Sequence, residues 1–540
     1  MAKKWAVILI LASAQFVMVL DSTVMNVSLD TVARDLGTSV SGMQAAITFY
    51  TLTMAALMLT GGKFGDIWGR RGALTVGSVV YGIGSFITGV SPNLAVLMFG
   101  WSFVEGLGAV LVIPAIAALA AINYEGRDRV TAFAIIGAVS GAAAAAGPLI
   151  GGFVTTYLSW RYVFIAETII MAIILLFIRK IADEPVVQKA KIDLLSVLLS
   201  AFGMGILVFG ILQSKEWGWV QPSGAPTING EPFTPFGVSV VAYMILLGIV
   251  LLSWFYLRQA KLERRGAPAL LKVSLLSIRP LRSGLSVLLS QYLVIAAIFF
   301  VVPVYLQIIL GYDALKTGLK ILPLSVALVL ASLAGTRLVA RFAPRFVVRV
   351  GQVLLVLGIL LLMASINAEL KGFLFGFGMF VTGAGLGLLA SQLGNVNMSA
   401  AGEGNAAEGG GLQGTFQNFG SSFGTAFIGS IFISSLSSGF LASVQQSTLP
   451  PNIKNYIASN TKPSIQVVSA QSVNEYAESQ GLSPQDASEV SGIYTNAQIQ
   501  GLKQALFYLA AVALLSLFAS RGIPRQKPPA QKSKSGPVGA

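Results

Sequence analysis

About fourteen apolar runs divide this 540-residue chain, each near the 20 residues that a helix needs to cross a bilayer. They begin near Trp5, Gln44, Leu74, Leu94, Val130, Tyr162, Leu194, Gly237, Leu285, Ile321, Val350, Phe373, Leu412 and Ala505. Backbone inside hydrocarbon must satisfy its own hydrogen bonds, so runs of this length read as helices. With 55% hydrophobic and 11% charged residues, the chain is also too apolar for a soluble globule of its size. The expected fold class is an all-α integral membrane protein. The first run follows Lys3 and Lys4, exceeds the apolar core of a signal peptide and precedes no small-residue cleavage site, so it reads as a retained helix.

The net charge of +14 would suggest nucleic acid in a soluble protein. Here topology accounts for it. With the amino terminus in the cytosol, roughly 26 of the 36 Lys and Arg fall in cytosolic segments, as the positive-inside rule requires. That places both termini in the cytosol of a cell membrane, brings anionic lipid to the basic segments, and leaves no role for nucleic acid. Cysteine and histidine are both absent. There is then no thiolate or imidazole for a metal site, and proton exchange near neutral pH falls on buried carboxylates. Without such nucleophiles, and with no G-x-x-x-x-G-K-[ST] loop, neither an enzyme nor an ATP-driven pump is expected of this chain.

Between the second and third runs lies Gly61-Gly62-Lys63-Phe64-Gly65-Asp66-Ile67-Trp68-Gly69-Arg70-Arg71. Gly335 through Arg345 follows and precedes apolar runs in the same way, and reads as a worn second copy in which Ala340 stands opposite Asp66 and Arg345 opposite Arg71. The first segment resembles the signature loop of the major facilitator superfamily. Leu20-Asp21-Ser22-Thr23-Val24-Met25-Asn26-Val27-Ser28-Leu29 is similar to the first-helix motif of its fourteen-helix drug:proton antiporters, the multidrug efflux family. Gly137 through Gly147-Pro148-Leu149-Ile150-Gly151-Gly152 resembles the fifth-helix antiporter motif, and Ser159-Trp160-Arg161 with Phe164 the entry to the sixth helix.

The resemblance implies two six-helix bundles, residues 1–185 and 283–520, that rock about a central site. An additional helix pair and cytosolic linker would occupy 186–282, and a disordered cytosolic tail 521–540. It also implies export of a small amphipathic substrate by a monomer, driven by a proton gradient without cofactor or metal. Gly62, Asp66, Gly69, Arg70 and Arg71 would form a conformational latch on the cytosolic side, with Asp66 pairing with Arg70. Gly137, Gly147, Pro148, Gly151 and Gly152 would form a bending seam of small residues.

Acids at bilayer depth are costly and usually functional. Asp21 lies about 24 Å along its helix from Trp5, Glu105 about 16 Å along the fourth helix from its outer start and Glu167 about 9 Å along the sixth. Here the chain departs from the family pattern, which has arginine at Ser102, glutamine at Glu105 and asparagine at Glu167. The expected cation is missing and two acids are gained. Asp21 and Glu105 are therefore expected to exchange protons, with Glu167 drawing positive charge on a substrate. Gln291, Gln307 and Gln417 are candidates to line the substrate path, among greasy neighbours that favour a hydrophobic substrate over a sugar. A lipid exporter or flippase of the same fold is the alternative, and a proton symporter a further one. Residues 441–500 form a long polar outer loop, with alternation around Val467 and Val468 and a helix-like stretch from Pro484 to Tyr494 that predict partial order.

Overall fold

Helix boundaries follow local chemistry. The side chains of Ser39, Asn93, Ser239 and Ser483 each accept a hydrogen bond from a backbone N–H in the first turn of the helix that follows. Gly69, Gly218 and Gly402 end helices at φ of 79°, 76° and 79°, where a side chain would be strained. The structure is a computed structural model that describes residues 2–124, 126–183, 192–223, 225–228, 231–338, 341–370, 372–402, 406–460 and 465–525. Ala340, part of the linker and most of the tail fall outside the described residues.

The elements run α1 (Ala2–Val27), α2 (Leu29–Asp35), α3 (Val40–Trp68), α4 (Arg70–Gly89) and α5 (Leu94–Leu97), the last passing through a π-helical stretch (Met98–Glu105) into α6 (Gly106–Asn123). Next come α7 (Gly126–Tyr157), α8 (Arg161–Phe177), α9 (Leu194–Trp217), α10 (Val240–Arg264), α11 (Val273–Ser277) and α12 (Arg279–Pro303). A second π-helical stretch (Val304–Ile309) leads to α13 (Ala314–Leu338), α14 (Pro344–Ser365), α15 (Leu374–Ala401), α16 (Ala406–Gln446), α17 (Pro451–Asn460), α18 (Ala470–Ser479) and α19 (Pro484–Ala519). Among the described residues thirteen helices are long and apolar enough to span a membrane, and a bent pair within α7 makes a fourteenth. The protein is thus a multi-pass, all-helical membrane protein.

The bend in α7, 43° between Ile135–Ala144 and Ala146–Tyr157, has a physical cause in Pro148. Proline has no N–H for the carbonyl four residues back, which is that of Ala144. Ser325 on α13 supplies a hydroxyl to that oxygen at 3.5 Å. The freed carbonyl is satisfied across a helix interface, as buried membrane backbone requires.

The two faces of the molecule are set by α1 and α19, whose outer ends define a terminal face; the opposite end is the loop face. Hydrogen bonds described between α1–α8 and α12–α19 run from the loop face to mid-helix. Gln307 Nε2 donates to the Val27 carbonyl at 2.6 Å, Leu315 N–H to Thr156 Oγ1 at 3.2 Å, Gln44 Nε2 to the Thr425 carbonyl at 2.9 Å and Ser422 Oγ to the Thr48 carbonyl at 3.0 Å. The loop face is therefore closed.

Helix α9 packs against both α3 and α16 at this closure, while α10 packs against α9. Buried Lys215 donates to Gln44 Oε1 at 3.1 Å, and Ser430 Oγ to the Ile211 carbonyl at 2.9 Å. At the other end of the pair, Arg258 forks onto Asp193 with contacts of 2.7 and 2.8 Å. That guanidinium holds the Asp193 carboxyl below its ordinary value of 3.8. A group with a depressed folded pKa stabilises above the unfolded value and loses that contribution as pH falls through the folded one. Asp193→Asn should therefore lower the melting temperature by roughly 1–2 °C at pH 7. The difference from wild type should close as pH drops below 3.8, which thermal unfolding across pH measures.

The segment 441–500 is more ordered than its polarity suggests. Helices α16 and α19 have 41 and 36 residues. At 1.5 Å per residue both run about 20–30 Å beyond a hydrocarbon core roughly 30 Å thick. With α17 and α18 they build a helical cap. The segment before α18 is fixed to the carboxy-terminal helices: Ile465 N–H donates to Ser437 Oγ at 3.0 Å, Tyr494 OH to the Gln466 carbonyl at 2.5 Å and Gln498 Nε2 to the Val468 carbonyl at 2.9 Å. Between this cap and α2 lies a polar cavity of about 780 Å³, lined on one side by Asp30 and Arg34 and on the other by Gln466–Glu475.

Candidate functional site

Three carboxylates from three helices converge inside the amino-terminal helices. Asp21 comes from α1, Glu105 from the last position of the first π-helical stretch and Glu167 from α8. All three are buried, and one oxygen of each lies within 4.8 Å of one oxygen of the others. Trp101 Nε1 donates to both oxygens of Asp21 at 2.9 and 3.1 Å, and its ring stacks on Tyr50 at 4.7 Å. Ser85 Oγ donates to Glu105 Oε2 at 2.9 Å, and Tyr81 OH to Glu167 Oε2 at 3.3 Å.

Local sequence explains why these groups can meet. A π-helical turn accommodates one extra residue, which rotates Trp101 and Glu105 relative to a regular helix; such turns are frequent at functional sites. Gly84 and Gly108 let α4 and the fourth span touch backbone to backbone. A Cβ on Gly84 would lie 2.7 Å from Glu105 Cα, and one on Gly108 2.6 Å from Tyr81 Cα. Larger residues would push the glutamate and the tyrosine out of register with Asp21.

Electrostatics then constrain what the cluster can hold. Two like charges at this separation repel by about 3 kcal/mol at an effective dielectric of 20, so three ionised carboxylates would be costly. Trp101, Ser85 and Tyr81 donate to them, and Tyr50 also hydrogen-bonds Asp21; none of these is a cation. Ser102, where the family pattern has arginine, donates instead to the Ala46 carbonyl at 2.8 Å. Glu105 Oε1 and Glu167 Oε1 have no protein donor. An unfilled buried acceptor costs about 1–3 kcal/mol, which a proton shared between carboxyl groups removes. Chemically, such an arrangement can hold a proton between its carboxyl groups.

The other candidate residues occupy different places. Gln307 bridges the two halves at the loop face, through its bond to Val27 and by accepting from Asp30 N–H at 3.3 Å. Gln291 is buried against α15, donating to the Leu386 carbonyl at 3.2 Å, and Gln417 is half-buried on α16. Lys63 to Trp68 continue α3, so the connection to α4 narrows to Gly69 alone. Arg70 Nη1 donates to the Gly62 carbonyl at 3.1 Å, and Arg71 Nη1 to the Ile181 carbonyl at 3.1 Å. The Asp66 side chain falls outside the described residues. Arg161 pairs with Asp35, to which Trp160 also donates at 2.9 Å.

The glycines of the α7 motif face two ways. Gly147 packs on Thr23 and Gly151 on Val24, both on α1, and Gly152 on the backbone of Ala314 at the start of α13. Gly318 of α13 packs in return on the Pro148 carbonyl, whereas Gly137 faces open space. The motif thus lies between the helix that carries Asp21 and the opposing half. Depth along the spans marks Asp21, Glu105 and Glu167 as acids inside the membrane, but spacing does not show that their side chains touch.

The sequence profile of the Major Facilitator Superfamily matches residues 11–425. The chain belongs to that superfamily. This major facilitator protein is 29% identical over 452 residues to the "Probable actinorhodin transporter" of Streptomyces coelicolor, covering 82% of this chain and 75% of the relative. It is 25% identical over 517 residues to the "Multidrug resistance protein Stp" of Mycobacterium tuberculosis, covering 94% and 90%. A solved bacterial homologue of the human lysosomal transporter Spinster, in an inward-facing and unoccupied conformation, superposes with a TM-score of 0.61 at 13% identity, covering 98% and 99%. At that identity the likeness speaks for the fold. The major facilitator protein described here is a membrane transporter and not an enzyme.

Proposed function

We propose that this transporter exports hydrophobic, cationic small molecules, drugs or antibiotics among them, in exchange for protons by alternating access. The convergence of Asp21, Glu105 and Glu167 carries the reading. Asp21 and Glu105 would pass protons, and Glu167 would draw the positive charge of the substrate, with Gln291 and Gln417 on the facing half. Gln307 would be released when the loop face opens. Residues 1–185 and 283–520 would rock against each other, with Gly62, Asp66, Gly69, Arg70 and Arg71 latching the terminal face. The curated relatives are named for antibiotic transport and multidrug resistance, which favours this cargo over a lipid. The charge distribution supports a cell membrane location with cytosolic termini.

Proteoliposomes test the proposal. A fluorescent lipophilic cation should accumulate only under an imposed pH gradient, a labelled lipid should not move, and Asp66→Ala should slow transport without loss of insertion. Transport of the cation at the same rate with and without the gradient would sink proton exchange.

A further inference from the structure

The worn second copy of the signature segment ends in a cluster of like charges. Arg345 and Arg349 stand in the first turns of α14, Arg279 begins α12, and Arg521 and Arg525 follow α19. The charges of Arg349, Arg525, Arg279 and Arg521 all bear on Arg345. Packing brings them there. Gly522 seats against Arg279, where a Cβ would lie 2.9 Å from Arg279 Cγ; Arg345 N–H donates to the Pro524 carbonyl at 3.4 Å; Arg349 Nε donates to Ser520 Oγ at 3.2 Å.

In the first copy a carboxylate lies against the basic end. Arg71 reaches the Ile181 carbonyl with its guanidinium, and its backbone N–H donates to Asp183 at 3.0 Å. Among the described residues, none of the five arginines in the second cluster forms an ion pair with a carboxylate, and Arg345 Nε is buried without a hydrogen-bond partner. No acidic residue occupies the first turn of α14, whose helix dipole adds to the positive field. Gathering five cations without a counter-ion is costly, so the site is built for an anion.

The surroundings decide which anion. Phe346 beside Arg345 is 54% exposed and Phe518, over which Arg521 stacks at 4.7 Å, is 57% exposed. These rings continue along the outer surfaces of two spanning helices, where acyl chains run. We infer that the cluster of Arg279, Arg345, Arg349, Arg521 and Arg525 is a binding site for the phosphodiester headgroup of an anionic phospholipid in the leaflet at the terminal face. Arginine forks match phosphate oxygens, and basic pockets between spanning helices suit such headgroups.

The test uses the purified full chain in neutral detergent, titrated with dioleoyl phosphatidylglycerol, dioleoyl phosphatidylcholine or inorganic phosphate, and reads the thermal unfolding midpoint. Phosphatidylglycerol alone should raise it. In Arg345→Gln/Arg349→Gln the half-saturating concentration should rise roughly 25-fold, about fivefold per arginine removed. Lys316→Gln/Lys320→Gln, which removes two exposed charges on the opposite face, should titrate as wild type does. Should the first double variant not fold, Arg279→Gln/Arg525→Gln, at two exposed side chains, must show the same weakening. An equal response to inorganic phosphate would overturn the lipid assignment, and unchanged potency in the folded arginine variants would overturn the site.

Discussion

Glu105→Gln should leave the protein folded and inserted but reduce its efflux to the rate seen without a pH gradient. Glutamine keeps the length of the side chain and an oxygen for the Ser85 hydroxyl, now at 2.9 Å from Glu105 Oε2, so packing against Gly84 should survive. It cannot take up and release a proton. Removing an acid from three carboxylates within 4.8 Å also relieves repulsion, so the melting temperature should hold or rise. That combination separates a proton carrier from a residue that merely fills space, because a structural glutamate would lose stability and transport together. Gradient-driven transport with its pH dependence intact in the variant would rule Glu105 out.

The second large effect is expected at Gly152. A Cβ there would lie 2.7 Å from the Ala314 carbonyl, and a leucine side chain would need still more room between α7 and α13. Backbone cannot yield as a flexible side chain can, so Gly152→Leu should keep the loop face from closing. Transport should fall to background while expression and binding of substrate from the loop side remain. A population open at the loop face should appear in labelling of the interface. Normal transport by this variant would show that α7 and α13 do not need to meet this closely.

Much of this architecture is legible in the residues alone. Apolar runs mark the spans because hydrocarbon admits little else, and the segments around Asp21, Asp66 and Pro148 point to one superfamily. The polar stretch 441–500 shows the start of α19 at Pro484 but hides α17 and α18, because helices in water need no continuous apolar run, only a buried edge such as Ala477. The site is read less completely. Asp21, Glu105 and Glu167 stand out individually as acids at depth, but their meeting depends on the π-helical turn at Met98–Glu105 and on two glycine contacts between distant helices. A local winding change leaves no clear mark in sequence. Gln307 shows the same limit: it reads as a residue lining the substrate path, whereas a second π-helical stretch places it at the loop face, beside the cavity under the cap and bonded to the Val27 carbonyl.

The helical cap offers one more consequence, of a practical kind. It is stitched to α16 and α19 and faces α2 across the cavity on the loop face, so the two walls of that cavity belong to opposite halves of the transporter. Ser472 on one wall and Arg34 on the other mark a ready ruler: spectroscopic labels at these two positions would read the opening of the loop face directly as a distance. The chain contains no cysteine of its own, so thiol labels could be placed there with no background to remove.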